Sequence, residues 1–182
     1  MRSRFTVMES ESRLVQMVES LLFVAGEPLT LADLTRALEV SAEAVEQALQ
    51  ELATHLQTRG IRLQRHGDEL QLVSAPEAAP AITRLLGLQA SGRLSNAALE
   101  VLAIIAYRQP LTRAQVDAIR GVDSSGTLRA LLARDLISEA GRLETIGRPI
   151  LYATTPAFLQ QFGLLSLTDL PPLDLPPIDA AQ

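Results

Sequence analysis

Cysteine, lysine and tryptophan are all absent from the 182 residues. Without cysteine there are no disulfides, thiolate metal ligands or thiol nucleophiles, and a reducing compartment is the natural setting. Without lysine there is no Schiff-base chemistry and no P-loop lysine; all 16 cations are arginine. Aromatics make up only 3% of the chain, so its cores must be built from Leu, Val, Ile and Ala. No uninterrupted apolar run approaches the ~20 residues that cross a bilayer. Arg2 and Arg4 are followed by Glu9 and Glu11, where a secretory signal would need its apolar stretch. The cytoplasm is the expected location, with no membrane association. A net charge of −5 is the wrong sign for a surface that seeks nucleic acid everywhere.

What the chain does contain is itself, twice. Gly26-Glu27-Pro28-Leu29-Thr30-Leu31-Ala32-Asp33-Leu34 returns 82 positions later as Arg108-Gln109-Pro110-Leu111-Thr112-Arg113-Ala114-Gln115-Val116. Leu21–Ala25 before the first copy matches Ala103–Tyr107 before the second. The copies also end alike, at Leu72-Val73-Ser74-Ala75-Pro76 and Tyr152-Ala153-Thr154-Thr155-Pro156. This period is too long for a solenoid unit and fits a small duplicated domain.

In the first copy, Leu14, Met17, Val18, Leu21, Leu22 and Ala25 follow the spacing of an amphipathic helix, stopped by Gly26 and Pro28. Thr30 with Asp33 predicts the cap of a second helix, and Ser41 that of a third carrying Val45, Ala48, Leu49, Leu52 and Leu56. Ile61, Leu63, Leu70 and Leu72 alternate about His66-Gly67-Asp68, which predicts a β-hairpin. Three helices and a hairpin are the winged-helix order. The second copy repeats it: helices open at Ser95 or Asn96, at Thr112 and at Ser124 or Ser125. Strands are predicted at 136–138 and 150–153. The expected fold is therefore mainly α with small β-hairpin wings, as two tandem winged-helix domains. The expected division is a flexible N-terminus at 1–12, a first domain at 13–79, a linker with a short helix at 80–94 and a second domain at 95–158. A C-terminal segment at 159–182 ends in a Pro-rich, disordered tail.

Catalysis finds little footing. His55 and His66 have no neighbouring residues at triad or metal-ligand spacing. Gly121-Val122-Asp123-Ser124-Ser125-Gly126 lacks the Walker lysine and does not follow a strand, so it reads as a turn and cap. No enzyme activity, metal or cofactor is expected. DNA reading by the first copy is disfavoured, since its third helix carries Glu43, Glu46 and Glu51 and would face phosphates. In the second copy, residues 93–148 hold eight arginines against six acids, compatible with solvated ion pairs, a weak phosphate patch or a patch for an acidic protein partner.

Long stretches resemble the segregation and condensation protein B family. They are Leu99–Arg113, Ile119–Val122, Gly147–Thr155, Phe158–Leu164 and, in the first copy, Glu19–Leu29. The resemblance covers roughly residues 14–170. It implies two winged-helix domains, homodimerisation and no catalytic activity. It also implies assembly with the kleisin subunit, and through it with the SMC ATPase, in the bacterial condensin that compacts and partitions the nucleoid. DNA contact would be weak or indirect. The runner-up reading is a tandem winged-helix transcription regulator. Four of the six aromatics lie in the second half, so Tyr107, Tyr152, Phe158 and Phe162 are candidate kleisin anchors. Arg108, Arg113, Arg120 and Arg148 are candidates for a polar rim. Leu14, Met17, Leu21, Val45, Leu49 and Leu52, on the leucine-rich helices of the first half, are candidates for dimerisation.

Overall fold

The computed structural model describes residues 2–87 and 93–173. Helix α1 spans Arg2–Ala25, starting twelve residues before the Leu14 start that the apolar spacing predicts. Neither Gly nor Pro stands within it, so nothing stops the helix earlier. Its buried stripe is Val15, Val18 and Leu22, the helical spacing of three and four residues. Gly26 ends the helix at φ 68°, a left-handed conformation that a side chain would strain.

Strand β1 (Leu29–Thr30) leads into α2 (Leu31–Leu38), α3 (Ala42–Leu56), β2 (Ile61–His66) and β3 (Glu69–Ser74). Thr30 closes the predicted capping box: its Oγ1 accepts from Asp33 N at 3.1 Å, and Asp33 Oδ2 accepts from Thr30 N at 3.0 Å. Ser41 Oγ caps α3 through Ala44 N. The sheet has the order β1-β3-β2, antiparallel throughout, with Leu63 opposite Leu72 and Gln64 opposite Gln71. The short strand β1, too brief for any period, has no sequence signal.

The second half repeats the plan after the short helix α4 (Ala79–Leu85). Helix α5 (Asn96–Arg108) is capped by Ser95; β4 (Leu111–Thr112) precedes α6 (Arg113–Arg120), α7 (Ser125–Leu132), β5 (Ile137–Arg142) and β6 (Ile150–Thr154). Thr112 and Gln115 form the second capping box. The sheet order is β4-β6-β5, the counterpart of the first. Helix α8 (Pro156–Phe162) follows.

The duplication is exact in plan but not in register. The buried residues Val15, Val18 and Leu22 of α1 correspond to Ala98, Val101 and Ile105 of α5, an offset of 83 rather than 82. The turn after α5 is one residue shorter, and the 82-residue offset resumes at Leu29 and Leu111. A helix re-registers to bury its apolar face, which textual matching across the turn does not reveal.

Each half has its own core. The first gathers Val15, Val18, Leu22, Leu34, Val45, Leu49, Leu52 and Leu70. The second gathers Val101, Leu102, Ile105, Val116, Leu128, Leu131, Ile137, Phe158 and Leu159. Each such burial contributes roughly 1.5–3 kcal/mol. The expected boundary after residue 158 cuts through α8, whose Leu159 is fully buried; Leu164, Leu167 and Leu170 also pack on the second core. The second unit therefore extends to Leu170. The Pro-rich tail from residue 174 lies outside the described residues.

The halves meet along the outer edge of β2. Gln64 is 1% exposed; its Nε2 donates to Leu164 O at 2.9 Å, and its Oε1 accepts from Gln71 Nε2 at 2.7 Å. The Arg65 N–H donates to Leu165 O at 2.8 Å. His66 Nε2 lies 3.1 Å from Thr154 Oγ1. That hydroxyl donates to Gln109 Oε1 at 2.9 Å, so it accepts from His66, which carries its proton on Nε2.

Candidate functional site

The aromatic candidates of the second half divide into two kinds. Phe158 and Phe162 stand one turn apart on α8, with ring centroids 5.1 Å apart and tilted by 43°. Phe158 is buried in the core, whereas Phe162 is 44% exposed. Only Phe162 offers its face to a partner, so Phe158 is corrected from surface anchor to core residue. Tyr107 is half-buried at the end of α5, and its hydroxyl donates to Pro171 O at 2.8 Å. It holds the chain's own C-terminal segment. Tyr152 sits in β6 opposite Leu111 and packs half-buried against the second core.

The arginines divide in the same way. The Arg120 side chain is 9% exposed; its Nε and Nη2 lie 3.1 and 3.0 Å from Glu100 Oε2, and its Nη1 donates to Ser124 Oγ at 3.1 Å. It ties α5, α6 and the α7 cap together and does not belong to a rim. Arg108 is half-buried. Arg113 is exposed, with Asp117 3.8 Å away. Arg148 pairs with Glu144 at 2.6 Å, and both side chains are exposed, where such pairs contribute about 0–1 kcal/mol. Its carbonyl accepts from Arg142 Nη1 at 3.1 Å. Gly147 at φ 86° and Arg148 at φ 39° make the tight reversal expected of Gly147-Arg148-Pro149. Arg113, Ala114, Arg142, Pro149, Ile150 and Tyr152 line a groove of about 330 Å³ between α6 and the second wing. It has an apolar floor and an arginine on each flank.

In the first half, Val45, Leu49 and Leu52 are buried in their own core. They are corrected as dimerisation candidates, because the face of α3 that carries them is already spent on α1. Leu14 and Leu21 are half-buried and Met17 is exposed. The sequence reading missed Phe23 and Val24, 80% and 76% exposed. Met17 and Val24 lie seven residues apart, on one face of the helix. Leu14, Met17, Leu38, Val40 and Ala44 line the adjoining groove. Phe23 adjoins the predicted apolar stripe, so periodicity alone counted it neither in nor out.

Sequence reading also passed over Gln64, Thr154, Leu164 and Leu165, whose pairing across the halves has no local signature, and Gln109, which accepts from Thr154 within the second half. Half-burial holds His66 below its ordinary 6.5, against the opposing Glu69 charge and its own backbone hydrogen bond. Asp33 is held low by the Thr30 hydroxyl and N–H. Glu43 is held low by its own backbone N–H and then the Ser41 hydroxyl, and Asp123 chiefly by the Ser125 hydroxyl. These are cap and turn carboxylates. Among the described residues, no group of three or more His, Cys, Asp or Glu side chains is placed to hold a metal ion, and no helix is long and apolar enough to cross a membrane.

The profile of the family described as "Segregation and condensation complex subunit ScpB" matches residues 16–173. The segregation and condensation protein B of Clostridium tetani is 45% identical over 168 residues, covering 91% of this chain and 89% of that protein. That of Geobacillus kaustophilus is 50% identical over 161 residues, covering 86% and 74%. Among solved structures, ScpB from Mycobacterium tuberculosis is 38% identical over 85% of this chain and 97% of its own, with a TM-score of 0.40. A dimer of an ScpB N-terminal domain complexed with an ScpA peptide is 30% identical over 42% of this chain and 98% of its own, also at 0.40. Both superpositions are loose, and the assignment rests on sequence. By the family profile and by identity across nearly the whole chain, this protein belongs to the segregation and condensation complex subunit ScpB family.

Proposed function

We propose that this chain is a non-catalytic subunit of a bacterial SMC–kleisin condensin, acting in the cytoplasm at the nucleoid in chromosome condensation and partition. The observation that carries this reading is the 45% identity to the Clostridium tetani segregation and condensation protein B over 91% of the chain. The two units are tandem winged-helix domains, at 13–79 and from 95 to Leu170. Each places a hairpin wing beside three helices. Homodimerisation uses the uncovered face of α1, with Met17, Phe23 and Val24 at its centre and Leu14 and Leu21 beside them. The kleisin, whose SMC ATPase it would bring along, docks on the second unit. Phe162 and Tyr152 supply apolar contact there, and Arg113 and Arg148 the rim. DNA contact is weak or indirect, since α3 presents carboxylates in the first unit and Glu46 is paired with Arg65 at 2.6 Å.

Capture of a kleisin fragment, measured beside binding to random and selected duplex DNA across a salt series, tests the reading. Kleisin capture that survives physiological salt, with DNA binding that salt abolishes, is the expected result. Sequence-selective duplex binding without kleisin capture identifies a transcription regulator instead.

A further inference from the structure

The contact between the halves differs in kind from the packing within them. The two cores share no residue. Hydrogen bonds join them in a short seam on the outer edge of β2: Gln64 to Leu164 O, Arg65 N to Leu165 O, and His66 to Thr154, with Pro76 beside Gly163. Beside it lies a cavity of about 310 Å³, lined from both halves by Gln64, Gln71, Pro76, Ala79, Gly163 and Leu165 among others. An interface held by a few hydrogen bonds and incompletely filled permits relative motion, whereas a large apolar one forbids it.

We propose that Leu164–Leu165 form a releasable strap, pinned by Gln64, that fixes the angle between the halves when closed and lets them hinge when open. The position of Gln64 is the clearest sign. Arg62, Gln64 and His66 alternate onto the face of β2 away from Leu63. Of these, Gln64 is fully enclosed yet satisfied at both ends of its amide. A side chain that only packed would be apolar there. An amide holds the strap by hydrogen bonds that water replaces on opening, so release leaves no buried charge behind and costs little. The Arg65 N–H likewise belongs to an edge strand and is satisfied by solvent once Leu165 leaves. In the homodimer proposed above, the strap sets the separation of the two second units. Only that consequence rests on the functional reading.

The absence of native cysteine makes the test direct. Gln50→Cys on α3 and Ala130→Cys on α7, both exposed, accept a spin-label pair in the full chain, diluted into excess unlabelled chain to isolate the intrachain distance. One dominant, narrow distance is expected in the otherwise unmodified protein. Gln64→Glu keeps the size but cannot donate to Leu164 O. It is expected to lower the ratio of closed to open chains about fivefold or more, as loss of one hydrogen bond implies, with unchanged circular dichroism. His66→Ala, at a less buried site, provides the same comparison if Gln64→Glu fails to fold. A broad distribution without a dominant distance in the unmodified protein overturns the strap. The same narrow distance in the folded variants overturns its pinning by these residues.

Discussion

The two halves share a plan and differ in what covers it. At the 83-residue offset of their first helices, Phe23 and Val24 of α1 correspond to Ala106 and Tyr107 of α5. In the second half that face is closed: Ala106 is buried, and Tyr107 is half-buried with its hydroxyl on Pro171 O. In the first half the same face is open, with Phe23 where the second has Ala106 and Val24 where it has Tyr107. The second half has its own C-terminal segment as a lid, while the first ends at its wing and passes into α4. The apolar face left open in one copy and closed in the other is the one assigned above to the proposed homodimer.

The wings differ too. The first turns tightly at Gly67-Asp68, and its outer edge carries the strap. The second runs seven residues, 143–149, between its strands, with a register shift between Glu139 and Gly141 and Ile146 fully exposed at the tip. The third helices diverge likewise: fifteen residues and acidic in α3, eight residues in α7 with Arg129 its only charge. The two cores keep one plan, and the surfaces around them differ.

The largest expected effect tests the likeness of the cores. Leu52→Ala in the first and Phe158→Ala in the second are each expected to cost about 2–5 kcal/mol in thermal or denaturant unfolding. A Phe158→Ala protein that melts normally but loses its partner returns Phe158 to the surface.

Next comes the difference between the open and the closed face. Val24→Asp is expected to weaken self-association at least tenfold, read by light scattering over a concentration series, because a carboxylate would lie unpaired in a buried interface. Its melting temperature extrapolated to the monomer should hardly move. Dimers of undiminished strength would place the interface elsewhere.

On α8, Phe162→Ala should weaken kleisin capture by roughly 2 kcal/mol, about thirtyfold, as the loss of a buried aromatic anchor does. Raising salt should matter less. Calorimetric titration beside thermal unfolding separates this from a folding defect.

The capping boxes sharpen the comparison further. Thr30→Ala and Thr112→Ala are each expected to cost about 1 kcal/mol, and to a similar extent, since both hydroxyls accept from an N3 amide. A marked inequality would show that the surroundings of the two caps, Thr112 buried and Thr30 half-buried, outweigh the shared hydrogen bond.

The smallest effect is one of pH. His66 is held below 6.5 by desolvation, so the fold favours its neutral form and the unfolded chain takes up a proton more readily. Its contribution to stability is complete above pH 6.5 and is lost as pH falls through 6.5 toward the lower folded value. His66→Gln should flatten the stability profile on that acid side relative to the parent. An identical profile would remove His66 from the seam's energetics.

The sequence by itself determined the local structure. Thr30–Asp33 and Thr112–Gln115 announce their caps because cap and partner are three residues apart. Gly67 and Gly147 announce their reversals because φ is a property of one residue. The hairpins follow from alternation, and the family from long words in order. Tertiary structure alone decided which faces remained open. Leucines at helical spacing do not say which of them an enclosing helix will bury, so Val45, Leu49 and Leu52 turned inward while Phe23 and Val24 were left outside. Phe158 and Phe162 read as equivalent until packing divided them. Gln64 and Leu164 are a hundred residues apart, and an amide's choice of a distant carbonyl leaves no period, cap or turn signature. Local rules act over a turn of helix or a strand pair, whereas burial is settled only when every element competes for the same apolar surface.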